Sequence, residues 1–265
     1  MTGPGIPEAS TAPEPKEGFW PLAGWRLRFA CHPSVACFNA CCADLRLILT
    51  PYDILRLKRR LGLPAAEFLE MYAREAGTQG ASFPMVRLAM AQGPASPCPF
   101  VRAEGCSVYE DRPGACRLYP LGRAASCALP EVGEQERYFV VREAHCRGFN
   151  EPRQWTVEEW IRDQGVAEYN AMNRPWMEIV TSRSPRLAEL TEAKLRMFYM
   201  ASYNLDRFRE FVFRSNFLAR VPVPREEAQR AAEEDEALLV LGMRWLKFAL
   251  LGEPMAPGSP GPGRI

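Results

Sequence analysis

Histidine is scarce in this chain, with 2 among 265 residues, and that scarcity removes most common catalytic arrangements. No Ser–His–Asp or Cys–His set strong enough for nucleophilic catalysis is visible. Charge excess is also missing. The 33 basic and 32 acidic residues leave a net +1, so neither nucleic acid nor a membrane surface is an expected partner. No apolar run reaches the length of a membrane span, and the closest, 237–251, is interrupted by Gly242, Arg244 and Lys247. The first 20 residues are rich in Pro, Gly, Glu and Thr, without the basic start and apolar core of a secretory signal. No G-x-G-x-x-G follows a strand-like segment. A cytoplasmic location is expected, where thiols stay reduced.

Against these absences stand nine cysteines. Cys31, Cys37 and the adjacent pair Cys41-Cys42 form a first run. Cys98, Cys106 and Cys116 form a second, with Cys127 and Cys146 following. An odd count in a reducing compartment argues for metal ligation rather than disulfides. Thiolates are soft ligands, and all-sulfur ligation suits zinc and iron–sulfur clusters alike. Neighbours on a regular strand face opposite ways, so Cys41 and Cys42 do not readily share one tetrahedral ion. They could serve two centres, or one larger cluster from a loop. His32 and His145 each adjoin a cysteine and could replace a sulfur. Arg112 and Arg117 flank Cys116 and read either as donors to thiolates or as surface ion-pair partners.

Length suggests one or two domains. The expected organisation is a disordered tail over 1–18, a cysteine-cluster metal-binding domain over 19–149, a helical domain over 150–252 and a second tail over 253–265. Phe19–Trp25 is expected to dock on the folded body. Thr50-Pro51-Tyr52-Asp53 reads as a helix start, and Gly62 as its stop. A second helix is expected over Pro64–Arg74 and a strand over Pro84–Met90. A small hairpin should turn at Glu104-Gly105, with a further strand over Tyr138–Arg142. Thr156-Val157-Glu158-Glu159 is a capping box opening a helix toward Tyr169 and Asn173. A short helix over Trp176–Thr181 should follow, then a long one from Ser184-Pro185 to about Ser215. Leu190, Met197, Ala201, Leu205, Phe208 and Val212 form its apolar stripe, and a last helix opened by Pro224 should cover that stripe. The fold class expected is α+β, a small cysteine-stapled region with short strands packed on a mainly helical C-terminal half.

The segments Cys37-Phe38-Asn39-Ala40-Cys41-Cys42, Leu49-Thr50-Pro51-Tyr52-Asp53-Ile54-Leu55, Cys98-Pro99-Phe100-Val101, Cys106-Ser107-Val108-Tyr109-Glu110-Asp111-Arg112-Pro113 and Cys116-Arg117-Leu118-Tyr119-Pro120-Leu121 together resemble the YkgJ-type cysteine-cluster proteins. That family carries a zinc- or iron-chelating CxxCxxCC domain, and the likeness covers about residues 26–160. The early spacing here, C-x5-C-x3-CC, is wider than the family's usual run. The resemblance implies eight metal ligands: Cys31, Cys37, Cys41, Cys42, Cys98, Cys106, Cys116 and Cys146. Cys127 is then the extra thiol. The implied cofactor is zinc or an iron–sulfur cluster. The implied function is that of a metal-binding protein, with a protein partner left open.

Flagellin lysine N-methylases carry a related cysteine domain. This raises the alternative of an iron–sulfur-dependent protein lysine N-methyltransferase using S-adenosylmethionine. The radical motif C-x3-C-x2-C fails here, because Asp44 stands at its third position after Cys37 and Cys41. Any cofactor pocket would have to lie where the two halves meet, with Tyr119, Tyr169, Asn173 and Trp176 as candidate walls.

Overall fold

A computed structural model describes residues 18–22, 26–76, 82–126 and 135–255. Most of the two expected tails, together with Cys127, lies outside the described residues. The described residues open with two short strands, β1 (Gly18–Pro21) and β2 (Arg26–Arg28), then pass through consecutive turns to β3 (Ile48–Leu49). Helices α1 (Pro51–Leu61) and α2 (Ala65–Tyr72) lead into β4 (Ala73–Ala76) and β5 (Met85–Leu88). The hairpin β6 (Val101–Arg102) and β7 (Gly105–Cys106) is followed by the short helix α3 (Gly114–Leu118). Strands β8 (Leu121–Ser126), β9 (Gln135–Arg142) and β10 (Gln154–Thr156) complete the strand-bearing half.

These strands form small antiparallel sheets in the orders β1-β9-β8, β10-β2, β3-β5-β4 and β6-β7. Pairing of Gly18–Pro21 with Phe139–Arg142 docks the N-terminal segment by its backbone. The mixed α+β class is as expected from the sequence, with helices concentrated in the C-terminal half.

Helix α1 starts where its sequence says it should. Thr50 accepts from the Asp53 amide, Asp53 returns the bond to the Thr50 amide, and Gly62 closes the helix at φ 67°. Its length is almost wholly buried: Tyr52, Ile54, Leu55 and Leu57 are each at most 2 % exposed. So the helix runs through the core rather than along the surface.

The C-terminal half is more finely divided than periodicity predicts. The capping box at Thr156 and Glu159 does open α4 (Val157–Asp163). Gly165 then stops it in the left-handed region, and α5 (Val166–Val180) starts afresh. The short helix expected over Trp176–Thr181 is the end of α5, which carries Pro175 inside it. In place of one helix from 184 to 215 there is a 3-10 turn at Pro185–Glu189, then α6 (Glu192–Tyr203) and α7 (Leu205–Arg214). Thr191 caps α6 by accepting from the Lys194 amide, and Asn204 caps α7 by accepting from the Arg207 amide. Each cap lets a new helix start where the apolar period alone reads straight through. A short helix α8 (Phe217–Arg220) leads to α9 (Arg225–Glu233), and extended Glu234 separates it from α10 (Asp235–Leu246).

The expected cover over the stripe is present. Phe208 stacks on Trp245 with ring centroids 5.5 Å apart. Helices α6 and α7 come close to α10 at Gly242, where a methyl group would stand 3.2 Å from the Ala201 carbonyl oxygen.

One large apolar cluster takes residues from both sides of residue 150, among them Tyr52, Phe68, Phe83, Trp176, Phe198 and Leu246. Phe83 and Phe198 stack across it at 4.4 Å. A second, smaller cluster joins Leu27, Phe29, Leu121, Val140, Trp155 and Trp160. Cys98 and Cys106 pack at the edge of the first cluster and Cys146 at the edge of the second.

Candidate metal centre

The first cysteine run is a chain of tight turns, not a regular strand. Carbonyls of His32, Val35, Cys37 and Asn39 accept from the amides of Val35, Phe38, Ala40 and Cys42 in turn. Asn39 takes φ 67°, a conformation that asparagine tolerates better than most residues. Its side chain donates to the Arg102 carbonyl at 3.0 Å and ties these turns to the β6–β7 hairpin. Phe38 lies against Gly105, where an added methyl group would sit 3.3 Å from its ring.

This folding brings the two runs together. The Cys98 amide donates to the Cys42 carbonyl at 2.8 Å, and Ala43 bridges Pro97. Cys106 faces Val101 across the hairpin, three residues from Cys98. Cys116 sits on α3, which is held to α1 by a bond of 2.8 Å from the Gly114 amide to the buried Asp53 carboxylate. On the other side, the Arg147 amide donates to Cys37 Sγ at 3.0 Å and puts Cys146 beside the first run. The Ala30 amide donates to the Gly148 carbonyl at 3.1 Å, so Cys31 starts next to the same loop.

The thiols feel one another. Burial, then Cys41, Cys37 and Cys146, push the Cys31 thiol up to about 11. Burial, with Cys98, Asp53, Cys106 and Cys41 nearby, pushes Cys116 up to about 12. Cys41 is lowered to about 7 by the hydrogen bond from Cys42, and the same bond, with burial, raises Cys42. Burial raises Cys98 and Cys146 as well. Cys41 apart, the shifted thiols favour their neutral form in such a setting until a cation offsets their mutual repulsion.

None of these eight cysteines is in a disulfide. Among the described residues, no three Cys, His, Asp or Glu side chains already enclose a point where an ion could sit. The donor set nonetheless fits a thiophilic centre in kind, since the bonds above lay cysteine-bearing segments far apart in sequence beside one another. One further group fits it. The buried Tyr119 hydroxyl lies beside Cys146 and has no hydrogen-bond partner at bonding geometry, a donor left over for an ionised sulfur. A bound zinc ion or iron–sulfur cluster would supply a crosslink among these sulfurs, with the side chains turning inward to meet it.

Other candidates from the sequence fall elsewhere. His32 stands half-exposed 3.4 Å from Glu151, and His145 stands 3.5 Å from Glu143. Arg112 and Arg117 are buried, so the surface ion-pair reading fails. Their bonds go to oxygen: Arg117 donates to the carbonyls of Arg112, Gln164 and Glu110, and Arg112 to the Tyr109 carbonyl and the Gln164 side chain. They brace the segment that presents Cys116.

Tyr169, Asn173 and Trp176 are buried in the large core between α1 and its neighbours. Asn173 accepts from the Tyr52 amide at 3.2 Å, and Tyr169 packs edge-on against Tyr52. The reach of Asp53 across to Gly114 has no local signal in the sequence, where Asp53 reads only as a first-turn carboxylate.

Residues 30–147 match the model of the CxxCxxCC family, described as a "putative zinc- or iron-chelating domain". No curated protein and no solved structure shows a significant match to the chain. The matched segment begins just before Cys31 and ends just after Cys146, so all eight gathered cysteines fall inside it. The cysteine-bearing region, residues 30–147, is thus similar to the CxxCxxCC domain.

Proposed function

We propose that this chain is a cytosolic metal-binding protein. Cys31, Cys37, Cys41, Cys42, Cys98, Cys106, Cys116 and Cys146 hold zinc or iron–sulfur, and the helical half braces the region that carries them. One observation supports the reading: the Cys98–Cys42 and Arg147–Cys37 bonds lay cysteine-bearing stretches from distant parts of the sequence alongside the first run.

Energetics support a structural role for the centre. The segments bearing the cysteines are turns, a two-residue strand and the five-residue helix α3, with little backbone pairing to order them. Structural zinc supplies about 10–16 kcal/mol of apparent binding energy in small domains. Whole-domain stability is about 5–15 kcal/mol. A metal at this place therefore decides whether the region is ordered. No comparison supports the methyltransferase alternative, and among the described residues no helix is long and apolar enough to cross a membrane.

Anaerobic purification followed by metal analysis and a visible spectrum tests the proposal. Stoichiometric metal is expected, brown with thiolate-to-iron absorbance for an iron–sulfur centre or colourless for zinc. A folded chain without thiophilic metal would overturn it.

A further inference from the structure

We infer that Arg112 and Arg117 are charge partners of the cysteine centre: two buried cations, bonded only to neutral oxygens, that offset the negative charge thiolates keep on a bound metal. The inference rests on the reading that the cysteines bind metal, and deepens it by assigning what balances the charge of the loaded centre.

Burial sets the problem. Each of the two arginines is 8 % exposed. Arg117 donates to the carbonyls of Arg112, Gln164 and Glu110, and Arg112 to the Tyr109 carbonyl and the Gln164 side-chain oxygen. Each guanidinium also lies over a ring, Arg112 at 3.8 Å from the Tyr109 centroid and Arg117 at 4.5 Å from that of Tyr169. Among the described residues, neither forms an ion pair with a carboxylate.

The acids nearby are committed elsewhere. Asp53 is buried, and its two oxygens accept from the Thr50 and Gly114 amides. Asp111 pairs with Arg56 at 2.7 Å, and Asp163 accepts from the Gln164 amide at 2.8 Å. Two buried guanidiniums thus face one buried carboxylate whose bonds go to backbone. A cation taken out of water without a full counter-charge is costly, and a neutral donor would brace the same carbonyls without that cost. Positive charge at this place therefore needs an anion that the protein side chains do not supply.

Position in the chain supplies it. Arg117 follows Cys116 directly on α3, and Arg112 stands four residues before Cys116. The segment they hold lies between Cys106 and Cys116. Neighbouring Cα atoms are about 3.8 Å apart. That is well inside the roughly 8–10 Å over which charges act through salt solution, and burial extends the reach. Four thiolates around a divalent ion leave a net negative centre. Such a centre and two buried guanidiniums balance one another through the field, with no bond from arginine to sulfur.

The test uses the full chain purified anaerobically with its native metal, and follows release of that metal to a chelator. Arg112→Gln removes the charge and keeps a neutral donor, whereas Arg112→Lys keeps the charge and gives up the planar fork. Gln164→Ala removes an acceptor and leaves both charges in place. Arg112→Gln should weaken metal retention by about 10- to 100-fold, the usual scale for groups just outside the ligands. Arg112→Lys and Gln164→Ala should retain metal like the parent, even where their urea midpoints fall. Parent-like retention in Arg112→Gln overturns the charge role, and so do equal losses in all three variants, which would leave the arginines as braces alone. Should Arg112→Gln not fold, Arg112→Lys decides: metal retained supports the role, and metal lost, or a chain that fails to fold with the charge in place, overturns it. A parent that folds without metal would remove this inference and the metal-binding reading together.

Discussion

Replacing Asp53 with Ala should loosen both the core and the cysteine region, because one carboxylate holds two backbone amides of different segments. Asp53 is 1 % exposed. One of its oxygens accepts from Thr50 and the other from Gly114, each at 2.8 Å. Alanine leaves both amides without their acceptor, at roughly 1–3 kcal/mol each when buried, or about 2–6 kcal/mol together. With a urea slope of about 1–3 kcal/mol per molar, the unfolding midpoint should fall by roughly 1–2 M. Asp53→Asn keeps one acceptor oxygen and should lose about half as much. Tryptophan fluorescence in a urea series measures both variants. An alanine variant within about 0.5 kcal/mol of the parent, the range of an ordinary surface change, would refute the reasoning.

Gly148→Ala should disturb the contact between the Cys31 and Cys146 segments. Its added methyl would lie 2.6 Å from the Ala30 carbonyl oxygen and 2.5 Å from the Phe29 ring, so the Cys31 segment must move away from the Cys146 loop. Metal analysis should show a loss of metal, and full retention would contradict the expectation. Cys116→Ser should lower metal content, whereas Cys127→Ser should leave it unchanged; equal losses would overturn the ligand assignment.

Acid should weaken the tie between α1 and α10. Burial alone would raise Asp235, but Lys58 and Arg209 outweigh it and hold the carboxyl below its ordinary 3.8. The Arg59 hydrogen bond holds Glu236 below its ordinary 4.5. Depressed carboxylates stabilise the fold above their ordinary values, and that contribution is lost as pH falls from about 4.5 through the still lower folded values. Urea midpoints between pH 7 and pH 3 should decline over this window, and less steeply for Asp235→Asn. Identical slopes in parent and variant would sink this assignment.

Local chemistry was legible in the sequence, and long-range geometry was not. The capping boxes at Thr50 and Thr156 and the left-handed Gly62 depend on residues within one turn, and all are present. The stripe ending in Ala201, Leu205, Phe208 and Val212 is buried as its period implies. Its division at Asn204 was missed because an asparagine inside an apolar period gives no sign that its side chain will cap a new helix. Cysteine content pointed to metal, and the family likeness marked eight positions. Which sulfurs neighbour which depends on bonds such as Cys98–Cys42 and Arg147–Cys37, spanning 56 and 110 residues. Backbone donors of this kind carry no residue-type signal. Arg112 and Arg117 misled for a related reason: their fate as buried braces was set by Gln164 and by carbonyls whose positions only the fold supplies.

The central claim, that metal is held by cysteine sulfur, is tested most directly by X-ray absorption at the metal edge on the anaerobically purified chain. The account predicts a first shell of four sulfurs, at about 2.3 Å if the metal is zinc. A shell dominated by nitrogen or oxygen at about 2.0–2.2 Å would contradict it.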